Sequence, residues 1–306
     1  MNNDTLVCKQ YPNGNLKSET WYYKGKKHKD DGPAHKTYHN YGGELKSETW
    51  YYKGKKHKDD GPAHKTYHNY GGPLKSETWY YKGKKHKDDG PAHKEWGNLV
   101  IVIYFIDGKE HRTDGPAHTI YSYDGQKLSE TWYYNGKEHK IDGPANTQWH
   151  LNGELCEEIY YVDGKKHKDD GPAQRRFYDN GKLCKEIYFI EGKEHRDAGP
   201  AFIDWYDDGV LGEEIYYVDG KMHRDDGPAQ REWDSNGQLL KEIYFIDGKM
   251  HRTDGPAIIE YETDYWYING KEIKREWYNN YGGYNIYKDF TEEDLRHMII
   301  MQYDED

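Results

Sequence analysis

Nine histidines recur along the chain, His28, His57, His86, His111, His139, His167, His195, His223 and His251, and an aspartate follows three residues later in eight of them. Imidazole beside carboxylate is zinc-ligand chemistry, so this column is read first as a candidate metal array. One copy argues otherwise. Ala198 replaces the carboxylate while His195, Gly199, Pro200 and Ala201 stay, so the segment keeps its form without that ligand. The residues are therefore expected to form a structural turn, with no metal and no cofactor, held by an Asx-type hydrogen bond with the imidazole packed beside it. Representative copies are His28, Asp31, Gly32 and Pro33; His139, Asp142, Gly143 and Pro144; and His223, Asp226, Gly227 and Pro228.

A second column, Glu19, Glu48, Glu77, Glu130, Glu158, Glu186, Glu214 and Glu242, offers the paired carboxylates that glycoside cleavage uses as acid and base. Catalysis needs one pocket whose two carboxyls have unlike surroundings, whereas these sites repeat with nearly the same neighbours. The expectation is a ladder of Glu beside Lys or Arg on adjacent strands. The chain also lacks G-x-x-x-x-G-K-S/T, H-E-x-x-H, G-x-S-x-G and Cys-x-x-Cys. No catalytic residue is assigned, and the chain is read as a non-enzyme.

Two aromatic columns accompany these. One is Tyr38, Tyr67, Trp96, Tyr121, Trp149, Phe177, Trp205, Trp233 and Tyr261. The other is Trp21, Trp50, Trp79, Tyr104, Trp132, Tyr160, Tyr188, Tyr216, Tyr244 and Trp266. Regularly spaced rings stack on sugars, bases or a partner's side chains. Most of these are expected to stack on one another as the sheet's own core, and any face left uncovered becomes the interaction surface. The second column, with Trp21, Trp50, Trp79, Trp132, Tyr160, Tyr188, Tyr216, Tyr244 and Trp266, is the candidate surface.

A fixed period must position all these columns. Leu16 to Gly43 recurs unchanged as Leu45 to Gly72, and Leu74 to Lys94 repeats its first 21 residues. Later copies diverge around G-K-x-H-x-x-D-G-P-A, and nine of the eleven prolines lie in its Gly-Pro-Ala step. Each unit of about 28 residues reads as two strands joined by Asn-Gly or Asp-Gly turns, as in Pro172 to Asp179 and Leu183 to Ile190. The fold class is all-β, an elongated antiparallel sheet of tandem hairpins. Roughly twenty strands at about 4.8 Å would extend about 90–100 Å. The chain divides into an N-terminal cap segment over 1–10, hairpin repeats over 11–271 and a C-terminal cap over 272–306. In that cap Thr291-Glu292-Glu293-Asp294 opens a short helix, 291–302, whose Leu295, Met298 and Ile299 would cover the last strands.

Tyr contributes 32 residues and mean hydropathy is -1.27, so burial relies on aromatic rings rather than aliphatic bulk. The aromatic content of 16% excludes a disordered chain. Neither a long apolar run nor a signal-peptide pattern is present, and Cys8, Cys156 and Cys184 make an odd set; the expectation is an intracellular, cytoplasmic protein with free thiols. The net charge of -11 hides an asymmetry, with residues 1–96 near +7 and the rest near -18. General nucleic-acid binding is excluded by this acidity, while the basic end suits an anionic surface.

Tyr178-Asp179-Asn180-Gly181-Lys182-Leu183, then Glu186-Ile187-Tyr188 and Gly192-Lys193, resembles the MORN repeat and its variant form, over roughly residues 10–275. The unit is longer than the usual MORN repeat and carries H-x-x-D-G-P-A in place of the family's glycine-rich turn. The resemblance implies a sheet of successive hairpins with a role in protein assembly or attachment to membrane lipid. Such variants are numerous in large DNA viruses and bacteria, which points to a viral origin, with host cytoplasm or virion as its location. The expected function is a repeat scaffold for protein–protein interaction or self-association. The alternative is a carbohydrate- or anionic-lipid-binding module using the aromatic columns and the basic first repeats.

Overall fold

The computed structural model describes residues 4–69, 71–260 and 264–273. The helix expected at 291–302, and most of the 272–306 cap, lie outside these residues. The chain divides into two compact units, Met1–Gly153 and Glu154–Asp306. Both are built of antiparallel strands, with no helix among the described residues.

The first unit opens with Asp4–Gln10, exposed throughout, paired with Leu16–Tyr23. It continues through His35–Tyr38, Leu45–Thr49, His64–Tyr67, Leu74–Thr78, His93–Trp96, Leu99–Ile103, His118–Ser122, Lys127–Thr131 and Asn146–Trp149, each antiparallel to the one before. The second unit runs in the same manner through Leu155–Ile159, Gln174–Phe177, Leu183–Ile187, Phe202–Trp205, Leu211–Ile215, Gln230–Trp233, Leu239–Ile243, Ile258–Glu260, Asp264–Ile268 and Lys271–Ile273.

The expected two-strand repeat is corrected in one respect: in the copies between the first and the last its second strand is cut in two, while Leu16–Tyr23 and Asp264–Ile268 run unbroken. Leu183–Ile187 stays in the main ladder, and Phe189–Ile190 leaves it to pair with Lys193–Glu194 as a short hairpin. The break is Tyr188. Its N–H donates to the Ala201 carbonyl at 2.7 Å, and its carbonyl accepts from His195 N–H at 3.1 Å. Trp21 is held in the same way between Ala34 and His28, and Trp132 between Ala145 and His139. The H-x-x-D-G-P-A segment thus takes both backbone groups of the aromatic residue and turns the chain out of the ladder.

The two connections in a repeat differ. At Asp179-Asn180-Gly181, Gly181 N–H donates to Tyr178 and Tyr178 N–H to Lys182, both at 2.9 Å, with Gly181 at φ 78° and a register shift at Arg176/Phe177. This is a three-residue connection with a bulge. At the short hairpin, Glu191 and Gly192 both have positive φ, 50° and 85°, the tight two-residue turn that matches strand twist. Successive short hairpins then bond to each other. Gly83 N–H reaches Lys56 carbonyl and Gly220 N–H reaches Glu194 carbonyl, each at 2.8 Å.

The nine alanines of the Gly-Pro-Ala steps are 0% exposed. A strand starts one residue past each alanine rather than at the proline, because the alanine carbonyl is committed to the aromatic N–H. Among large side chains of the described residues only Ile268 is below 2% exposed. The core is thin, as the composition required.

Candidate functional site

The histidine column clips one repeat to the next. Nδ1 of His86 accepts from Asp107 N–H at 3.0 Å, and Nδ1 of His111, His167 and His223 accepts from Asn135, Glu191 and Asp247 N–H at 3.1 Å. A backbone N–H can only donate, so Nδ1 is the unprotonated nitrogen and Nε2 carries the hydrogen. Where the sequence provides an aspartate two residues on, Nε2 faces it: His28 with Asp30 at 3.1 Å and His223 with Asp225 at 3.3 Å. These imidazoles hold the tips of neighbouring short hairpins. Among the described residues, no three His, Cys, Asp or Glu side chains gather as a metal site. The three cysteines are free.

At the turn aspartate the side chain meets the cation two residues before it. Asp226 Oδ1 accepts from Arg224 Nε at 2.7 Å, Asp114 from Arg112 at 2.8 Å, and Asp31 lies 3.6 Å from Lys29. This hydrogen bond, with the guanidinium's charge, holds the Asp114 carboxyl below its ordinary range. The same cation lies over the recurrent aromatic residue whose backbone the turn holds. Lys29 covers Trp21 at 5.2 Å, Lys58 Trp50 at 4.7 Å, Lys87 Trp79 at 4.3 Å and Lys140 Trp132 at 4.4 Å. Lys168 covers Tyr160 at 4.2 Å, Arg196 Tyr188 at 4.0 Å, Arg224 Tyr216 at 4.1 Å and Arg252 Tyr244 at 4.0 Å. The candidate interaction column is therefore half-buried, with a cation on the rings of these eight copies; Trp266 is half-buried as well. In these eight copies the residue after histidine is aimed back across the ring.

This arrangement also accounts for Ala198. Arg196 keeps its place over Tyr188 and donates through Nη1 to Pro200 carbonyl at 3.1 Å, so the turn retains its tie without the carboxylate. Glycine in the D-G-P-A step leaves room for the cation: a Cβ on Gly115 would sit 2.8 Å from Arg112 Cζ. The sequence carried the signal in plain form, since the residue after each recurrent histidine is Lys or Arg in all nine copies.

The glutamate column forms the ladder expected of it. Glu19, Lys36, Glu48, Lys65, Glu77 and Lys94 face one another strand by strand in that order. In the second unit Arg231 reaches Glu214 at 3.1 Å and Glu242 at 3.0 Å. Glu130 departs from this, facing Thr119 and Thr147 across the strands and pairing with Lys127 of its own strand at 2.8 Å; elsewhere the alternation balances charge along the face.

A further row escaped the sequence reading. Thr20 and His35, Thr49 and His64, and Thr78 and His93 are bonded pairs at 2.9, 2.8 and 2.9 Å, facing each other across the strands, with His118 continuing the row. Burial, reinforced by Lys56, pushes His64 down to about 4, and burial moves His35, His93 and His118 in the same direction. In the second unit the row is Ile159, Gln174, Ile187, Phe202, Ile215, Gln230, Ile243 and Ile258.

No curated protein matches the chain. Similar solved structures include alternansucrase in complex with isomaltononaose, at 15% identity and TM-score 0.19 over 82% of this chain and 18% of that one. They also include the Photorhabdus luminescens Tc holotoxin pore, at 14% and 0.16 over 89% and 14%, and TcdB2-TccC3, at 12% and 0.13 over 89% and 19%. The chain spans under a fifth of the length of each. The profile of the MORN repeat variant matches residues 173–191 and 229–247, each a strand, a bulged turn and a second strand leading into the short hairpin. The same strand, turn and hairpin plan recurs in the other copies, so the chain is a tandem array of hairpins consistent with the MORN repeat variant that two of its copies match.

Proposed function

We propose that the chain is a non-enzymatic repeat scaffold that mediates protein–protein interaction or assembly. One observation carries this reading: its recurrent polar columns are committed to contacts within and between neighbouring copies. Histidine holds the next hairpin tip, the cation covers the ring, and glutamate faces lysine or arginine across the strands. Such columns supply repeated surface, whereas catalysis calls for a single site with unlike groups. Light scattering on the eluting protein, together with identification of co-purifying chains, tests this. The expected result is a mass above one chain or a stoichiometric protein companion; a homogeneous monomer that retains no protein counts against it.

A second reading has its own support. The exposed tips of the first three short hairpins are Lys24, Lys53 and Lys82, where later copies carry residues such as Asp163, Glu191 and Asp219. This favours an anionic lipid surface over a glycan, because the rings a sugar would stack on already lie under cations. Retention on anionic vesicles at low salt that fades as salt rises would support it.

A further inference from the structure

Two neighbouring pockets in the first unit share one lining. Lys17, Ser18, His35, Thr37, Tyr38 and Lys46 border a cavity of about 440 Å³. One repeat on, Lys46, Ser47, His64, Thr66, Tyr67 and Lys75 border one of about 670 Å³. The six residue types are the same in the same order, and Lys46 belongs to both. Hydroxyls form part of each floor, with Thr37 bonded to Ser47 at 2.6 Å and Thr66 to Ser76 at 2.7 Å. No carboxylate lines either pocket among the described residues, and Lys46 has no acidic partner there.

The third copy shows what such a site accepts. Glu95 stands where Thr37 and Thr66 stand in the first two. Its carboxylate lies 3.8 Å from Lys75 Nζ and 3.9 Å from His93 Nε2, the counterparts of the lysine and histidine in the open pockets. The second unit settles the same row within itself. Arg176 pairs with Glu157 at 2.6 Å, Lys185 with Asp204 at 3.1 Å and Lys241 with Glu260 at 2.7 Å. There the position of Lys46 is held by Cys156, Cys184, Gly212 and Leu240. The first two copies thus keep threonine where the third has Glu95, and Lys46 between them is left without a carboxylate, although Lys75 at the far side of the second pocket is paired with Glu95 and the hydroxyls of Tyr38 and Tyr67 are bonded to Glu19 and Glu48.

We infer that these two pockets receive carboxylate side chains presented by a partner protein, Glu95 being the chain's own version of that ligand. This deepens the protein-interaction reading and rests on it. Cations and hydroxyls together supply charge-assisted bonds to both carboxylate oxygens. The two sites lie two strands apart, about 10 Å, within reach of two glutamates of one acidic peptide.

Hexaglutamate titrated calorimetrically into the full chain at low salt tests the inference. Wild type is expected to bind. Lys46→Gln, an exposed position common to both pockets, is expected to weaken binding by about tenfold or more. The double variant Thr37→Glu with Thr66→Glu gives each pocket the carboxylate of the third copy, and is expected to abolish binding while leaving the circular dichroism spectrum unchanged. Absence of binding by wild type overturns the inference. So does equal binding by wild type and both variants, or capture of inorganic tripolyphosphate with no capture of hexaglutamate. None of these results alters the solution mass or the retained companion, so this inference can fail while the scaffold reading stands.

Discussion

From Thr20 to Asn146 the first unit fills one row of its sheet mostly with threonine and histidine, broken by Ile103, and from Ile159 to Ile258 the second fills that row with isoleucine, glutamine and phenylalanine. The adjacent row differs as well, with serine and threonine hydroxyls in the first unit and ion pairs such as Arg176 with Glu157 in the second. The backbone scheme is the same in both: aromatic N–H to alanine carbonyl, histidine N–H to aromatic carbonyl, histidine Nδ1 to the next hairpin tip. The hairpin repeat is therefore specified by its turn and its strand break. The rows between them are free to be neutral and hydroxylated in one unit, and apolar and charge-paired in the other.

The largest effect should be common to both units. Leucine in place of a fully enclosed alanine, Ala92→Leu or Ala229→Leu, forces the carbonyl away from its aromatic N–H and is expected to cost about 3 kcal/mol or more. Hydrogen exchange resolved by segment reads each unit separately. If either unit absorbed the change, the shared element of the comparison would be lost.

The adjacent row should separate them next. Glu157 is 5% exposed and accepts from Arg176 and Gln174 at 2.6 and 2.7 Å. Glu157→Ala leaves a guanidinium without its partner and is expected to cost about 2–3 kcal/mol. Thr66→Ala removes a single hydroxyl pair, expected to be worth about 1 kcal/mol. Chemical denaturation of both variants ranks them, and equal losses would erase the distinction.

Acid should act mainly on the first unit. His64 is neutral when folded and titrates only near 4, whereas the unfolded chain takes up the proton near its ordinary value of 6.5. The unfolded state therefore binds more protons between those values. The stability this ring contributes is present above about pH 6.5 and is lost as the pH falls towards 4. Solvent reaches a half-buried ring, so His64 contributes on the order of 1 kcal/mol, and His35, His93 and His118 act in the same direction. Exchange in residues 35–118 should accelerate across that window before exchange in residues 174–243 does. Equal onset in both units would break the comparison.

Smallest is the cation over the ring. Arg224→Gln removes cover from Tyr216 and the bond to Asp226, at about 1 kcal/mol, and Lys58→Gln over Trp50 about half of that, because a guanidinium stacks flat and an ammonium does not. Thermal denaturation followed by near-ultraviolet circular dichroism should show the tyrosine and tryptophan signals responding in that order.

Much of the fold is legible in the chain. Turn residues, strand spacing and the facing of Glu19 with Lys36 all follow from a period and a two-residue alternation, which are local properties. Less legible were the cation over each ring and the row of His35, His64, His93 and His118. Arg196 over Tyr188 spans eight residues through a strand break that alternation does not foresee. Each of those histidines follows the buried alanine directly, so its place depends on where the strand begins, and the proline suggested a start that lies too early.

By itself the sequence determined the repeat, its all-β character and the positions of its turns, because each depends on residues close together in the chain. Tertiary structure alone decided which backbone groups the H-x-x-D-G-P-A turn captures, which cation lies over which ring, and that Lys17, His35 and Lys46 border one pocket while Glu95 fills its third counterpart. The reason is register. Contacts between residues some 7 to 29 apart exist only once the turn and the neighbouring strands are aligned, and that alignment is set by the sum of many backbone bonds rather than by any one side chain.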